Sequence, residues 1–182
     1  MKTESTVKFV LRLALTLVTI TAVVAVALAG VNKITAPAIA ELNAKNTQAA
    51  IEAVLPGGGE ELAEFPAVDL VSKVYASDAG YAIQVSPGGF DNTITMMVGV
   101  DKSGNVLGID VISHTETAGL GAVADAETPA GIAFREQFIG TSGSVSVTKD
   151  GGQMDAITGA TITSRAICAG VNAALECAAQ MG

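Results

Sequence analysis

Ten residues near the C-terminus hold the densest chemistry of this chain: Asp155-Ala156-Ile157-Thr158-Gly159-Ala160-Thr161-Ile162-Thr163-Ser164. Hydroxyls at Thr158, Thr161, Thr163 and Ser164 alternate with small or aliphatic residues, and Asp155 adds a carboxylate. Gly159 and Ala160 directly precede Thr161, so the backbone there can come close to a bulky anion. A threonine placed this way can carry a phosphate group, either bound or esterified. Residues 163–181 read as a helix, because Ile167, Val171, Ala174, Leu175 and Ala178 share one face at three- and four-residue spacings. Thr163 or Ser164 can serve as its N-cap. Helix N-termini present unpaired N–H groups and about half a positive charge, which stabilise a phosphate. The ten residues alone leave a second reading open, a well-capped helix entered through a tight turn.

A second concentration lies at His114-Thr115-Glu116-Thr117-Ala118-Gly119-Leu120-Gly121. An imidazole, a carboxylate, two hydroxyls and two glycines in eight residues exceed what a plain connection needs. Such a loop can line a cofactor through backbone N–H groups and the Leu120 side chain, while Glu116 reads equally as a solvated loop charge. His114 is the only histidine, and a lone histidine is more often hydrogen-bonded structure than a catalytic base. Cys168 and Cys177 sit nine residues apart on the expected last helix, roughly 13 Å along its axis and beyond disulfide reach. They read as small buried hydrophobes. The chain has no Walker loop, dinucleotide fingerprint or zinc-type Cys/His spacing.

The elements that must position these loops follow from the hydrophobic pattern. Residues 69–76 and 81–86 read as strands around a turn at Asp78-Ala79-Gly80. Residues 93–100 alternate, with Ile94, Met96, Val98 and Val100 on one face, and residues 106–113 return after the turn Asp101-Lys102-Ser103-Gly104-Asn105. Residues 129–138 read as a short helix and residues 145–148 as a short strand. The expectation is an α+β fold, one domain with an antiparallel sheet and a C-terminal helix.

At the other end, residues 13–31 are 19 residues without a charge, about 28 Å as a helix against a hydrocarbon core of ~30 Å. The expected organisation is a cytoplasmic N-terminus (1–12), a single transmembrane helix (13–31), a membrane-proximal connector (32–60) and the folded domain (61–182). Pro37 starts a helix in that connector, which Leu55-Pro56 and Gly57-Gly58-Gly59 end. Lys2, Lys8 and Arg12 precede the apolar run and Lys33 and Lys45 follow it, which favours the N-terminus in the cytoplasm. Ala27-Leu28-Ala29 resembles a signal-peptidase site, but the longer apolar run favours an anchor, and both readings export the rest. Residues 34–182 carry 6 Lys/Arg against 17 Asp/Glu, a poor match to nucleic acid or anionic lipid.

Taken together, these pieces resemble a known family. A single N-terminal membrane segment precedes a Gly-Gly-Phe loop at residues 88–90 and Glu-Thr-Ala-Gly-Leu-Gly at 116–121. Asp155-Ala-Ile-Thr-Gly-Ala-Thr-Ile-Thr-Ser then precedes a C-terminal helix. This resembles the FMN-binding domain of the G subunit of the Rnf complex, and is similar to the C subunit of the sodium-pumping NADH:quinone oxidoreductase. The resemblance implies FMN joined through its phosphate to Thr161, by a flavin transferase that uses FAD and magnesium. It implies that Asp155 assists that transfer, that Thr158, Gly159, Ala160 and Thr163 belong to the cofactor site, and that Glu116, Thr117, Gly119, Leu120 and Gly121 line it. Thr158 stands where the family commonly has serine, and Ala118 where it often has proline. The implied role is electron transfer within ferredoxin:NAD⁺ oxidoreduction coupled to Na⁺ or H⁺ transport, beside multi-span membrane subunits. The alternative is a stand-alone extracytoplasmic flavin carrier.

Overall fold

Alternating residues between positions 60 and 113 pair into an antiparallel meander in the computed structural model, which describes residues 3–182 and their side chains from residue 7 onward. The strands are β1 (Glu60–Glu61), β2 (Val71–Ala76), β3 (Gly80–Val85), β4 (Thr95–Asp101) and β5 (Val106–Ser113), in that spatial order. Helices α1 (Thr3–Val54), α2 (Pro129–Glu136) and α3 (Thr161–Met181) complete the chain. The expected α+β class holds. The chain divides at Ala44/Lys45 into two units.

The first unit is helical. Among the described residues, α1 is the one helix long and apolar enough to cross a membrane. Its side chains from residue 7 to residue 44 are exposed all round, Leu15 and Val26 among them, as in a helix that meets lipid rather than a protein core. The hydroxyls of its apolar stretch return to their own backbone, Thr16 donating to the Arg12 carbonyl and Thr19 to that of Leu15, each at 2.8 Å. Neither hydroxyl then needs water. The expected helix start at Pro37 is not what forms, since α1 continues through it. Proline removes one backbone hydrogen bond, costing about 3 kcal/mol, but Ala36, Ala38, Ala40 and Leu42 around it are strong helix formers. Lys2, the first basic residue of the orientation argument, and part of the expected 1–12 segment lie outside the described residues.

In the second unit both faces of the sheet are covered. Ile83, Val85, Met96, Val98 and Val100 face α3, whose Ile167, Val171 and Ala174 are fully buried. Tyr75, Ala82 and Met97 face Ile51, Val54 and Leu55 from the chain's residues 50–55. Gly99 makes the second contact possible, because a Cβ there would collide with the Val54 carbonyl oxygen. Gly99→Ala is expected to cost about 1–3 kcal/mol, seen as a lower thermal midpoint with an unchanged α3 signal in hydrogen exchange.

The strand expected at residues 145–148 does not form. Val147 makes only an isolated bridge with Met154, and a 3₁₀ turn follows at Thr148–Asp150. The Asn172 side chain accepts from the Val145 N–H at 2.8 Å and donates to the Val145 carbonyl at 2.9 Å. A side chain on α3 thus takes the hydrogen bonds that a neighbouring strand would have taken. Cys168 and Cys177 are free and buried, and burial together with the Asp150 carboxylate pushes the Cys168 thiol up to about 11. Iodoacetamide at pH 8 is therefore expected to label neither cysteine in the folded protein and both after unfolding, read by peptide mass.

Candidate functional site

The turn into α3 is built by hydrogen bonds from within the ten-residue motif. The Ala160 N–H donates to the Ile157 carbonyl at 2.9 Å. Ser164 Oγ accepts from the Ile157 N–H and donates to the Ala160 carbonyl, both at 3.0 Å. Gly159 takes φ +79° in this turn, a conformation that glycine adopts without strain. The helix starts at Thr161, two residues earlier than its pattern suggests, and its N-cap position, Ala160, offers no side-chain acceptor. Neither expected cap is one: Ser164 is spent on the turn and Thr163 on a carboxylate. The first-turn N–H groups of α3 are left without a side-chain cap, which favours a negative charge at that end.

That carboxylate is Glu116. It is only 8% exposed, and its Oε2 accepts from the Thr163 hydroxyl at 2.5 Å. Its Oε1 accepts from the Phe90 N–H at 2.7 Å. One side chain therefore ties loop 86–92, loop 114–121 and α3 together, so it is not a solvated loop charge. His114 braces the same loop, with Nδ1 accepting from the Glu116 N–H at 3.1 Å and Nε2 3.7 Å from Asp125 Oδ2.

These elements enclose a recess of about 230 Å³ lined by eight of the expected site residues: Glu116, Thr117, Leu120, Gly121, Gly159, Ala160, Thr161 and Thr163. Phe90 and Ile162 complete it. Gly121 has no room for a side chain, since a Cβ would collide with Glu116 and lie 2.6 Å from Thr163 Oγ1. The other three expected residues, Gly119, Asp155 and Thr158, line a neighbouring groove of about 510 Å³ with α2. Gln137 anchors that side, its Oε1 accepting from the Asp155 N–H at 2.7 Å and its Nε2 donating to the Asp155 carbonyl at 3.3 Å. The Asp155 side chain is exposed to solvent.

Sequence reasoning missed two contributors, Gln137 and Lys149. Lys149 Nζ donates to Thr161 Oγ1 at 3.0 Å. Its only sequence signal is the Lys-Asp-Gly-Gly turn at residues 149–152, which says nothing about which hydroxyl the lysine reaches.

A phosphorylated, planar cofactor fits this arrangement on two counts. The Thr161 hydroxyl lies at a helix N-terminus whose amides lack a side-chain cap, as a phosphate requires. Phe90, Leu120 and Ile162 offer an apolar rim and are 66%, 43% and 50% exposed, as an aromatic ring with one open edge requires.

Comparison with known proteins agrees with that chemistry. The FMN-binding domain family matches residues 89–176. The chain is 32% identical to the G subunit of the Na⁺-translocating ferredoxin:NAD⁺ oxidoreductase complex of Acetobacterium woodii, over 93% of this chain and 91% of that protein. It is 35% identical to the G subunit of the ion-translocating oxidoreductase complex of Stutzerimonas stutzeri, over 90% of this chain and 78% of that one. With the corresponding G subunit of Vibrio vulnificus it shares 41% identity over 50% of this chain and 45% of that protein. Two relatives above 30% identity, aligned over most of their length, place the chain: it belongs to the G-subunit family of ion-translocating oxidoreductase complexes and carries that family's FMN-binding domain.

Proposed function

We propose that this chain is the membrane-anchored flavin subunit of an ion-translocating ferredoxin:NAD⁺ oxidoreductase complex, with FMN joined through its phosphate to Thr161 and the folded unit outside the cytoplasm. The observation that carries the reading is the position of the Thr161 hydroxyl. It borders an apolar-rimmed recess at a helix end without a side-chain cap. Lys8 and Arg12 ahead of the apolar stretch support the orientation.

Each residue of the site has a task in this reading. Thr161 provides the oxygen of the ester. The first-turn amides of α3 stabilise the charge that a phosphodiester keeps. Phe90, Leu120 and Ile162 exclude water from the ring faces while leaving an edge open to a neighbouring protein. Glu116 and Thr163 hold the two loops at the distance the ring needs. Bound FMN supplies the one- and two-electron chemistry, and the protein supplies position and environment. A covalent link keeps the site filled where free flavin is dilute. Multi-span subunits of the complex are its partners, and a flavin transferase using FAD and magnesium matures the chain, assisted by Asp155.

The test is peptide mass spectrometry of the membrane-extracted chain after co-expression with the transferase. The Thr161 peptide is expected to carry the mass of FMN less water. A Thr161 peptide that stays unmodified in a complex that is otherwise assembled and active would sink the proposal.

A further inference from the structure

Lys149 stands outside every motif used above, yet its ammonium donates to the one oxygen on which the proposed function turns. Its backbone is held from two sides. Asp150 accepts from Arg165 Nε at 2.7 Å and from Nη2 at 2.6 Å, and Arg165 lies on α3 four residues beyond Thr161. That guanidinium keeps the Asp150 carboxyl below its ordinary range. On the other side the Thr148 N–H donates to the Met154 carbonyl at 2.9 Å. The turn at residues 148–150 is thus fastened to the helix that carries Thr161, and Lys149 faces that helix's first residue from a defined position. The acceptor of its hydrogen bond is a neutral hydroxyl rather than a carboxylate. Arg165, the other cation at this turn, is already matched by Asp150. Lys149 also lies in the field of the Asp150 carboxylate. Both Asp150 oxygens are hydrogen-bonded to Arg165, so the ammonium stays directed at the Thr161 oxygen, where an anion would form.

We propose that Lys149 assists phosphoryl transfer to Thr161 and then neutralises the resulting phosphodiester, an inference that rests on the covalent FMN reading. In the transfer, a bond forms between Thr161 Oγ1 and the flavin-side phosphorus of FAD. The pyrophosphate P–O bond breaks, AMP leaves, and the hydroxyl proton passes to solvent. No electrons are exchanged. Negative charge develops on the attacking oxygen and the phosphoryl group, and a cation already hydrogen-bonded to that oxygen stabilises it without reorganisation.

The experiment follows covalent FMN on the full-length, detergent-extracted chain supplied with FAD, Mg²⁺ and the transferase, by in-gel fluorescence and by the mass of the Thr161 peptide. Lys149→Gln is expected to lower the maximal transfer rate about tenfold, less than for a donor buried in a dry site because Lys149 is solvent-exposed. Lys149→Arg is expected to restore most of the rate. The chain concentration giving half-maximal rate and the thermal midpoint of Lys149→Gln should match wild type, as an exposed residue with no packing role allows. A wild-type maximal rate for Lys149→Gln overturns the role of Lys149 while leaving Thr161 as the attachment site. So does a loss confined to the half-saturating concentration, which marks a transferase contact instead. A wild-type chain that never acquires FMN overturns both.

Discussion

Thr161→Ala is expected to abolish covalent flavin, leaving no fluorescent band after denaturing electrophoresis, while Thr161→Ser retains it. The reason is that no other hydroxyl of the ten-residue motif can stand in. Thr163 is 1% exposed and its proton is given to Glu116. Ser164 is fully buried and occupied on both sides by backbone groups of the turn. Thr158 lies across the Gly159 turn, on the groove lined by α2 rather than in the recess. The fold should be little affected, because the Thr161 side chain is not part of the core. A stability change within about 0.5 kcal/mol is expected. Flavin of wild-type mass on the alanine variant would remove Thr161 from the site.

Glu116→Ala is expected to be the most damaging single change at the site for stability. It deletes three hydrogen bonds, two short and one long from the Asp91 N–H at 3.4 Å, to a carboxylate that is only 8% exposed. It leaves the Phe90 N–H and the buried Thr163 hydroxyl without their acceptor, and it opens space where two loops meet α3. Hydrogen bonds to charged groups are worth about 1.5–3 kcal/mol each, so a loss of about 3 kcal/mol is a reasonable sum after partial rehydration. For a unit of this size that lowers the thermal midpoint by roughly 10 °C. Glu116→Gln separates charge from shape. Its amide oxygen still accepts from Phe90 and its NH₂ can donate to Thr163 Oγ1, so about 1 kcal/mol is expected. Thr163→Ala should lie between the two and keep its flavin, since it removes only one arm of the bracket. Loop order is checked by hydrogen exchange at Phe90. An alanine variant that melts with wild type would show that Glu116 does not hold the loops.

Most of this architecture is legible residue by residue. Ile94, Met96, Val98 and Val100 declare one buried face by alternation alone, and α3 declares its own through Ile167, Val171 and Ala174. Both signals come from neighbours a few positions apart, the range over which periodicity operates. The misreading at residues 145–148 shows where that range ends. Ser144-Val145-Ser146-Val147-Thr148 alternates as a strand does, but alternation does not say whether a partner edge is present, and Asn172 took the edge's place. Pro37 is a similar case, because a helix-starting residue was overruled by strong helix formers on both sides. The N-cap was misassigned because Thr163 has a better use for its hydroxyl 47 residues away.

The site divides along the same line. Residue types and their spacing were enough to specify the exposed apolar helix, the composition of both loops, and Thr161 as a hydroxyl that follows two small residues just ahead of a helix. These are local properties, set within a few turns of chain. Packing in three dimensions was needed to make Glu116 the buried bracket rather than a solvated charge. Packing also separated Asp155, Thr158 and Gly119 from the recess that Thr161 borders, and it brought Lys149 to the Thr161 oxygen. The Lys149 and Glu116 contacts join segments 12 and 47 residues apart. Their geometry is fixed by how the sheet, the 3₁₀ turn and α3 pack rather than by any pattern along the chain.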